Sequence, residues 1–197
     1  MTTKVYLARH GETQWNKEQR FQGTLDSELT LLGKQQSKKI ALQLANKKID
    51  LIVSSSLGRS IASAKLCQQK LTVPVISLNG FDERDLGLWQ GKNVDEIKKD
   101  KNYDEILHQF TELTPLGDES AGESALQCGE RIYQTLQLLL QSHQNKNMLI
   151  IFHGEALRCF LAKLGHYSAD NAYQLFSNGC VVELIYTHQD SSFQLTR

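Results

Sequence analysis

Apolar residues recur along this chain in two rhythms. Residues 4–8 (KVYLA), 51–53 (LIV), 73–76 (VPVI), 148–152 (MLIIF) and 181–186 (VVELIY) are short, apolar and rich in β-branched side chains, and each predicts a strand. The first, second and fourth are almost continuously apolar, as strands covered on both faces of a parallel sheet are. Phe193 and Leu195 predict a short last strand at an edge. Between these runs the spacing is helical. Thr30 is placed to cap a helix carrying Leu32, Ile40, Ala41 and Leu44. Residues 57–71 predict a second helix and 154–164 a fourth. The third carries Leu126, Ile132, Tyr133, Leu136, Leu139 and Leu140, and its start admits two capping boxes, Ser120 with Glu123 or Ser124 with Gln127. Strands alternating with helices predict an α/β fold, a three-layer α/β/α sandwich with a mostly parallel central sheet. Residues 91–119 are more polar and less regular, and predict short helices and loops over one end of the sheet.

A length of 197 residues suits one domain with its own core, spanning 1–197. Lysine plus arginine and aspartate plus glutamate both number 22, so the formal net charge is zero and neither nucleic acid nor a membrane is expected as a partner. Lys38-Lys39, Lys47-Lys48 and Lys98-Lys99 fall inside predicted helices and read as solvated faces. No apolar run approaches the roughly 20 residues of a membrane span, and the opening residues lack a signal-cleavage pattern, so a cytoplasmic protein is expected. The four cysteines, Cys67, Cys128, Cys159 and Cys180, form no Cys-x-x-Cys pair and read as reduced, mostly buried thiols. No spacing of His, Asp and Glu suggests a metal site, and no cofactor is called for.

Ligands of such folds bind beyond the carboxyl ends of the strands. Arg9-His10-Gly11-Glu12-Thr13 follows the first strand, a segment ending in Arg59 follows the second, and His153-Gly154-Glu155 follows the fourth. Two histidines and two arginines at three strand ends are the composition of an anion site.

These residues also carry a family likeness. Arg9 to Asn16 (RHGETQWN) resembles the opening of the histidine phosphatase superfamily in its phosphoglycerate mutase-like branch. Leu29-Thr30 with Gly33 and Gln36, Ser55 with Arg59, Glu83 with Gly87 and Gly91, Gly122-Glu123-Ser124, and His153-Gly154 with Arg158 resemble its further motifs, in order, over nearly the whole chain. The resemblance implies a phosphoglycerate mutase-like sandwich and catalysis through a phosphohistidine. Arginine forks stay charged and grip phosphoryl oxygens in pairs, which suits Arg9 and Arg59. An imidazole with one unprotonated nitrogen suits His10 as nucleophile, its other nitrogen held by a partner such as a backbone carbonyl. His153 would donate to a phosphoryl oxygen, and Gly11 and Gly154 would let backbone approach the ligand. Asn16, Gln22 and Gly23 are implied as further phosphate or substrate contacts. A leaving alkoxide needs a proton. Asp82, Glu83 and Asp85 are all candidates by chemistry, and the family motif selects Glu83. Trp15, Phe21 and Trp89 could wall the pocket or serve as packing.

The family holds phosphatases and phosphoglycerate mutases, with some members that only bind. All of Arg9, His10, Arg59, Glu83 and His153 are present, which speaks for catalysis. Glu83 and Glu123 are 40 positions apart with mixed charges between them, without the longer basic insert and paired arginines of the mutases. Glu155 follows His153-Gly154, and an ionised carboxylate there would repel a second phosphate or a carboxylate on the substrate. A small metabolite with one phosphate and a neutral remainder is therefore expected, hydrolysed rather than rearranged. Sugar phosphates, 3-phosphoglycerate, α-ribazole phosphate and phosphoserine all stay open. Strand 181–186 is a candidate exposed edge for a homodimer.

Overall fold

A computed structural model describes residues 2–115, 122–166 and 176–196. Its strands are β1 (Thr2–Arg9), β2 (Leu51–Ser54), β3 (Val75–Ser77), β4 (Met148–Phe152), β5 (Val181–Thr187) and β6 (Ser192–Thr196), and they form one sheet in the order β3-β2-β4-β1-β5-β6. The β1–β4, β4–β2 and β2–β3 pairs are parallel, while β5 runs antiparallel to β1 and β6. The helices are α1 (Gln14–Lys17), α2 (Leu31–Leu44), α3 (Gly58–Leu71), α4 (Val94–Ile97), α5 (Tyr103–His108), α6 (Ala125–Ser142) and α7 (Gly154–Lys163). Successive parallel strands need long crossovers: α2 lies in the one from β1 to β2, α3 in the one from β2 to its neighbour β3, and α6 in the return to β4, which inserts between β2 and β1.

The period-2 geometry of a strand divides the core. Met148, Ile150 and Phe152 of β4 pack with α6 and α7 on one face. Leu149 and Ile151 pack with Ile40, Ala41 and Leu44 of α2 and with Ala64 and Cys67 of α3 on the other. The expected three-layer sandwich results. A third cluster joins Phe21, Leu86 and Trp89 to Ile97, Tyr103, Ile106 and Leu107, so the irregular segment after β3 has its own small core. Among the described residues no helix is long and apolar enough to cross a membrane.

Several expectations change in three dimensions. The strand expected at an exposed edge, β5, is bonded on both sides, because the final hairpin lays β6 along it, Glu183 opposite Thr196. It offers no free edge to a second copy. Leu32 lies off the buried face of α2. That face is set by Gly33, Ser37, Ile40, Ala41 and Leu44, and Leu32, one residue (about 100°) away, is half exposed. Lys47-Lys48 lie beyond the end of α2, and Lys98 caps α4 rather than standing within it. The third strand begins at Val75, after Pro74, whose carbonyl accepts from Ile52 N. The α6 capping box is Ser124 with Gln127; Ser120 lies outside the described residues. Phe21 and Trp89 are buried packing, Phe21 also forming part of the cavity wall.

The two faces of α6 give a direct test. Leu136 is fully buried and Leu138 is 67% exposed. Leu136→Ala is expected to cost about 2–5 kcal/mol through lost contacts and a cavity. Leu138→Ala should stay within about 0.5 kcal/mol. Urea unfolding of both variants measures the difference.

Candidate active site

The site is assembled where β1 and β4 end side by side. His10 N donates to the Phe152 carbonyl, which brings the residues after both strands together. The His10 and His153 rings then lie with centroids 5.2 Å apart, at 58° to each other. Both are buried. Gly11 is required here by α2 rather than by a ligand: a Cβ on it would stand 2.0 Å from the Gly33 carbonyl oxygen. Thr13 caps α1 in a reciprocal box with Asn16, which fixes the Asn16 side chain beside the histidine.

The hydrogen bonds of His10 set its tautomer. Nδ1 lies 2.7 Å from the Gly11 carbonyl, an oxygen that can only accept, so Nδ1 carries the proton. Nε2 is left with a lone pair and accepts from Arg59 Nε at 3.3 Å. Burial, with the charges of Arg59 and Arg9 next, holds the His10 pKa well below the usual imidazole range. Burial does the same for His153, aided by Arg59, His10 and Arg9. Both rings are neutral at pH 7. Ser55 Oγ already accepts from Leu57 N and lies 2.7 Å from His153 Nε2. Nδ1 of His153 is buried with no hydrogen-bond partner among the described residues.

Arg59 is held from the 23–26 loop. Its Nη1 donates to the Leu25 carbonyl at 2.6 Å and to Asp26 Oδ1 at 3.0 Å, and its Nη2 to the Gly23 carbonyl at 2.7 Å. The same Asp26 carboxylate accepts from Gly58 N and Arg59 N at the start of α3. Arg9 Nη1 donates to the Phe176 carbonyl at 2.5 Å.

Glu83 stands against the start of α7. Its Oε1 accepts from Ala156 N at 2.8 Å and Arg84 N at 2.9 Å, and its Oε2 from Glu155 N at 3.4 Å. Burial raises its pKa above the usual carboxylate range. Glu155 adds to the rise, and Arg59 and the backbone donors oppose it. Asp82 is engaged elsewhere, accepting from Ser56 N and Ser56 Oγ. Asp85 accepts from Gly87 N. Only Glu83 of the three forms part of the cavity wall.

That cavity is narrow, about 20 Å³ of open volume, and Arg9, His10, Asn16, Gln22, Gly23, Glu83 and Gly154 all line it. The expected site residues thus converge. Arg59 and His153 are not part of its surface but stand directly against His10. A larger depression of about 700 Å³ opens beside Asp26, Leu29, Lys34 and Lys65. It shares only Arg59 with the chemistry and holds no histidine, so volume is a poor guide to the reactive end of this molecule.

Glu155 departs from the sequence reading. Its carboxylate is not a bare charge aimed at the ligand. Arg158 grips it with Nη2 at 3.0 Å and Nε at 3.2 Å, and Arg84 Nη1 reaches it at 3.4 Å. Repulsion of an anionic substrate by an isolated Glu155 is therefore not the mechanism of selection.

Asp26, Ser55 behind His153, Arg84 and Asn178 also build the site. Asn178 Nδ2 donates to the His10 carbonyl and to Asn16 Oδ1, both at 3.1 Å. Each acts across a long sequence gap, and no local pattern marks it. Among the described residues no three His, Cys, Asp or Glu side chains gather to hold a metal ion. Positive charge at the site comes from guanidinium groups.

The model of the histidine phosphatase superfamily (branch 1) matches residues 5–197. A protein of Escherichia fergusonii named probable phosphoglycerate mutase GpmB is 34% identical over 161 residues, 82% of this chain and 74% of that protein. Among solved structures, Bacillus stearothermophilus YhfR superposes with a TM-score of 0.83 at 27% identity, covering 98% of this chain and 95% of that one. A phosphoserine phosphatase mutant from Entamoeba histolytica, solved with phosphoserine, superposes with a TM-score of 0.81 at 29% identity, covering 99% and 95%.

Proposed function

The chain belongs to the histidine phosphatase superfamily, and on that premise we propose that it is a metal-independent phosphomonoester hydrolase acting on a small phosphorylated metabolite through a phosphohistidine on His10. The observation that carries this reading is the His10 tautomer. A proton fixed on Nδ1 by the Gly11 carbonyl leaves Nε2 unprotonated, its lone pair met only by the long 3.3 Å contact from Arg59 Nε, so that it can attack phosphorus without a general base. Burial between two guanidinium groups keeps the ring unprotonated.

In the first step Nε2 of His10 forms a bond to phosphorus as the P–O bond to the leaving group breaks. Arg9 and Arg59 take up the charge on the equatorial oxygens. If Ser55 donates its hydroxyl proton to His153 Nε2, the His153 proton sits on Nδ1, the buried atom suited to meet a phosphoryl oxygen. Glu83, in the protonated form that its burial favours, gives its proton to the departing oxygen. In the second step the Glu83 carboxylate takes a proton from water. The resulting hydroxide forms a P–O bond, the P–N bond breaks, and inorganic phosphate leaves with His10 restored.

The charges around the cavity favour a substrate with a single anionic group. Arg9 is the one cation on its described surface. Relatives named phosphoglycerate mutase supply a second reading, transfer of phosphate within a sugar acid.

Phosphate release from a panel of phosphomonoesters in excess EDTA separates the two. Turnover that survives EDTA, with an acid-labile, base-stable phosphoprotein after a quench at high pH, is expected. Interconversion of phosphoglycerates without phosphate release would overturn hydrolysis in favour of the mutase.

A further inference from the structure

Behind the cavity wall lies a charge cluster that the proposed reaction does not use. Glu155 forms part of the wall and is 5% exposed, while Arg84 and Arg158 behind it are 0% and 2% exposed. Arg158 is committed to Glu155 through Nε and Nη2, and its buried Nη1 has no hydrogen-bond partner among the described residues. Arg84 also donates to the carbonyls of Ile106, Leu113 and Glu123, so its guanidinium is fixed in place independently of Glu155. Two buried guanidinium groups, one of them anchored independently, converging on one carboxylate at the edge of a ligand cavity have the make-up of an anion site. Here the anion belongs to the chain itself.

We propose that the Glu155 carboxylate fills, from within the chain, an anion subsite beside the phosphate-binding end, and so restricts the enzyme to phosphomonoesters whose remainder is uncharged. This rests on the reading of the cavity as a phosphomonoester site. A substrate carboxylate reaching this wall meets no available cation, because both guanidinium groups are already paired. Selection works through occupancy: the neutralised wall accepts hydroxyl groups and gives no return for the desolvation of a second charge. Shortening Glu155 to alanine removes a carboxylate and leaves both guanidinium groups around the space it held. A buried cation stripped of its partner is strongly destabilising, and a small carboxylate from solution, or one carried by the substrate, would take its place.

A purely structural ion pair predicts something different. Its loss would lower stability without regard to the anion in the buffer and would leave substrate preference alone. The test therefore has two arms. In the first, thermal unfolding of wild type, Glu155→Ala and Glu155→Gln is followed in acetate against chloride at equal ionic strength. Acetate should raise the Tm of Glu155→Ala well beyond any change in wild type, and should do little for Glu155→Gln, whose amide still fills the space. If Glu155→Ala is recovered unfolded, its refolding yield in acetate against chloride gives the same readout. In the second arm, kcat/KM is compared for glycerol 3-phosphate and 3-phosphoglycerate, which differ at a hydroxymethyl against a carboxylate. Wild type should favour the neutral ester, and Glu155→Ala should shift the ratio at least tenfold toward the acid, mainly through KM.

An acetate effect no larger than that of chloride overturns the subsite, as does an unchanged substrate ratio in an active variant. Failure of wild type to release phosphate from any ester would instead sink the hydrolase reading. The acetate arm needs no turnover and still decides the subsite.

Discussion

His10→Ala is expected to lower kcat for every phosphomonoester by at least about 10⁴-fold, because no other group at the site can carry the phosphoryl intermediate. His153 is the nearest rival. Its Nε2 is engaged by Ser55, and the guanidinium beside the two rings, Arg59, directs its Nε to His10. The substitution removes the bonds from Nδ1 to the Gly11 carbonyl and from Arg59 Nε to Nε2, but the buried Arg59 charge keeps Asp26 and the Leu25 and Gly23 carbonyls as partners. The variant should therefore fold. Initial-rate assays on the best panel substrate, with circular dichroism as a control for folding, measure the effect. Residual activity above a hundredth of wild type would move the nucleophile to another residue.

Glu83→Gln should separate substrates by leaving group. For alkyl esters, whose departing oxygen needs a proton, kcat is expected to fall about 10²–10⁴-fold. For p-nitrophenyl phosphate the leaving oxygen is already stable as an anion, and the loss should be tenfold or less in formation of the phosphoenzyme. Equal losses on both would mean that Glu83 positions groups and transfers no proton.

The pH profile carries the same assignment. His10 works unprotonated, and its pKa is lowered, so activity should persist below the ordinary imidazole range and fall only as pH drops through that lowered value. Glu83 works protonated in the first step, and its pKa is raised, so activity on alkyl esters should fall as pH rises through a value above the ordinary carboxylate range. Burial is the main cause of the Glu83 shift. Glu155 raises it further, and Arg59, Arg84 N and Ala156 N lower it. In Glu83→Gln the alkaline limb should vanish while the acid limb remains.

How much of this could be read from the chain depends on the range over which each interaction acts. Strand β4 was legible because its burial on both faces leaves a continuous apolar run, MLIIF, with every residue buried. Helices α2 and α6 were legible because capping is local: Thr30 reaches Gly33 N, and Ser124 and Gln127 bond reciprocally, all within three residues. Strand ends then placed Arg9, His10, Arg59 and His153 at one edge of a parallel sheet, since β1, β2 and β4 all point the same way. The family likeness chose Glu83 among three adjacent acids, a choice that composition left open.

Tertiary structure alone decided the rest. Asp26 reaches Arg59 across 33 positions, Arg84 reaches Glu155 across 71, and Ser55 reaches His153 across 98. No periodicity encodes such pairs, because each depends on how separate helices and loops come to rest on the sheet. The status of β5 turned on the hairpin that brings β6 beside it, and the meaning of Glu155 turned on two arginines from distant or inward-facing positions. Local sequence determined the elements, their caps, the chemistry carried to the strand ends and, through the Gly11 carbonyl, the His10 tautomer. Packing determined which charges meet, and so whether the His10 ring stays neutral and whether Glu155 confronts a ligand or is already paired.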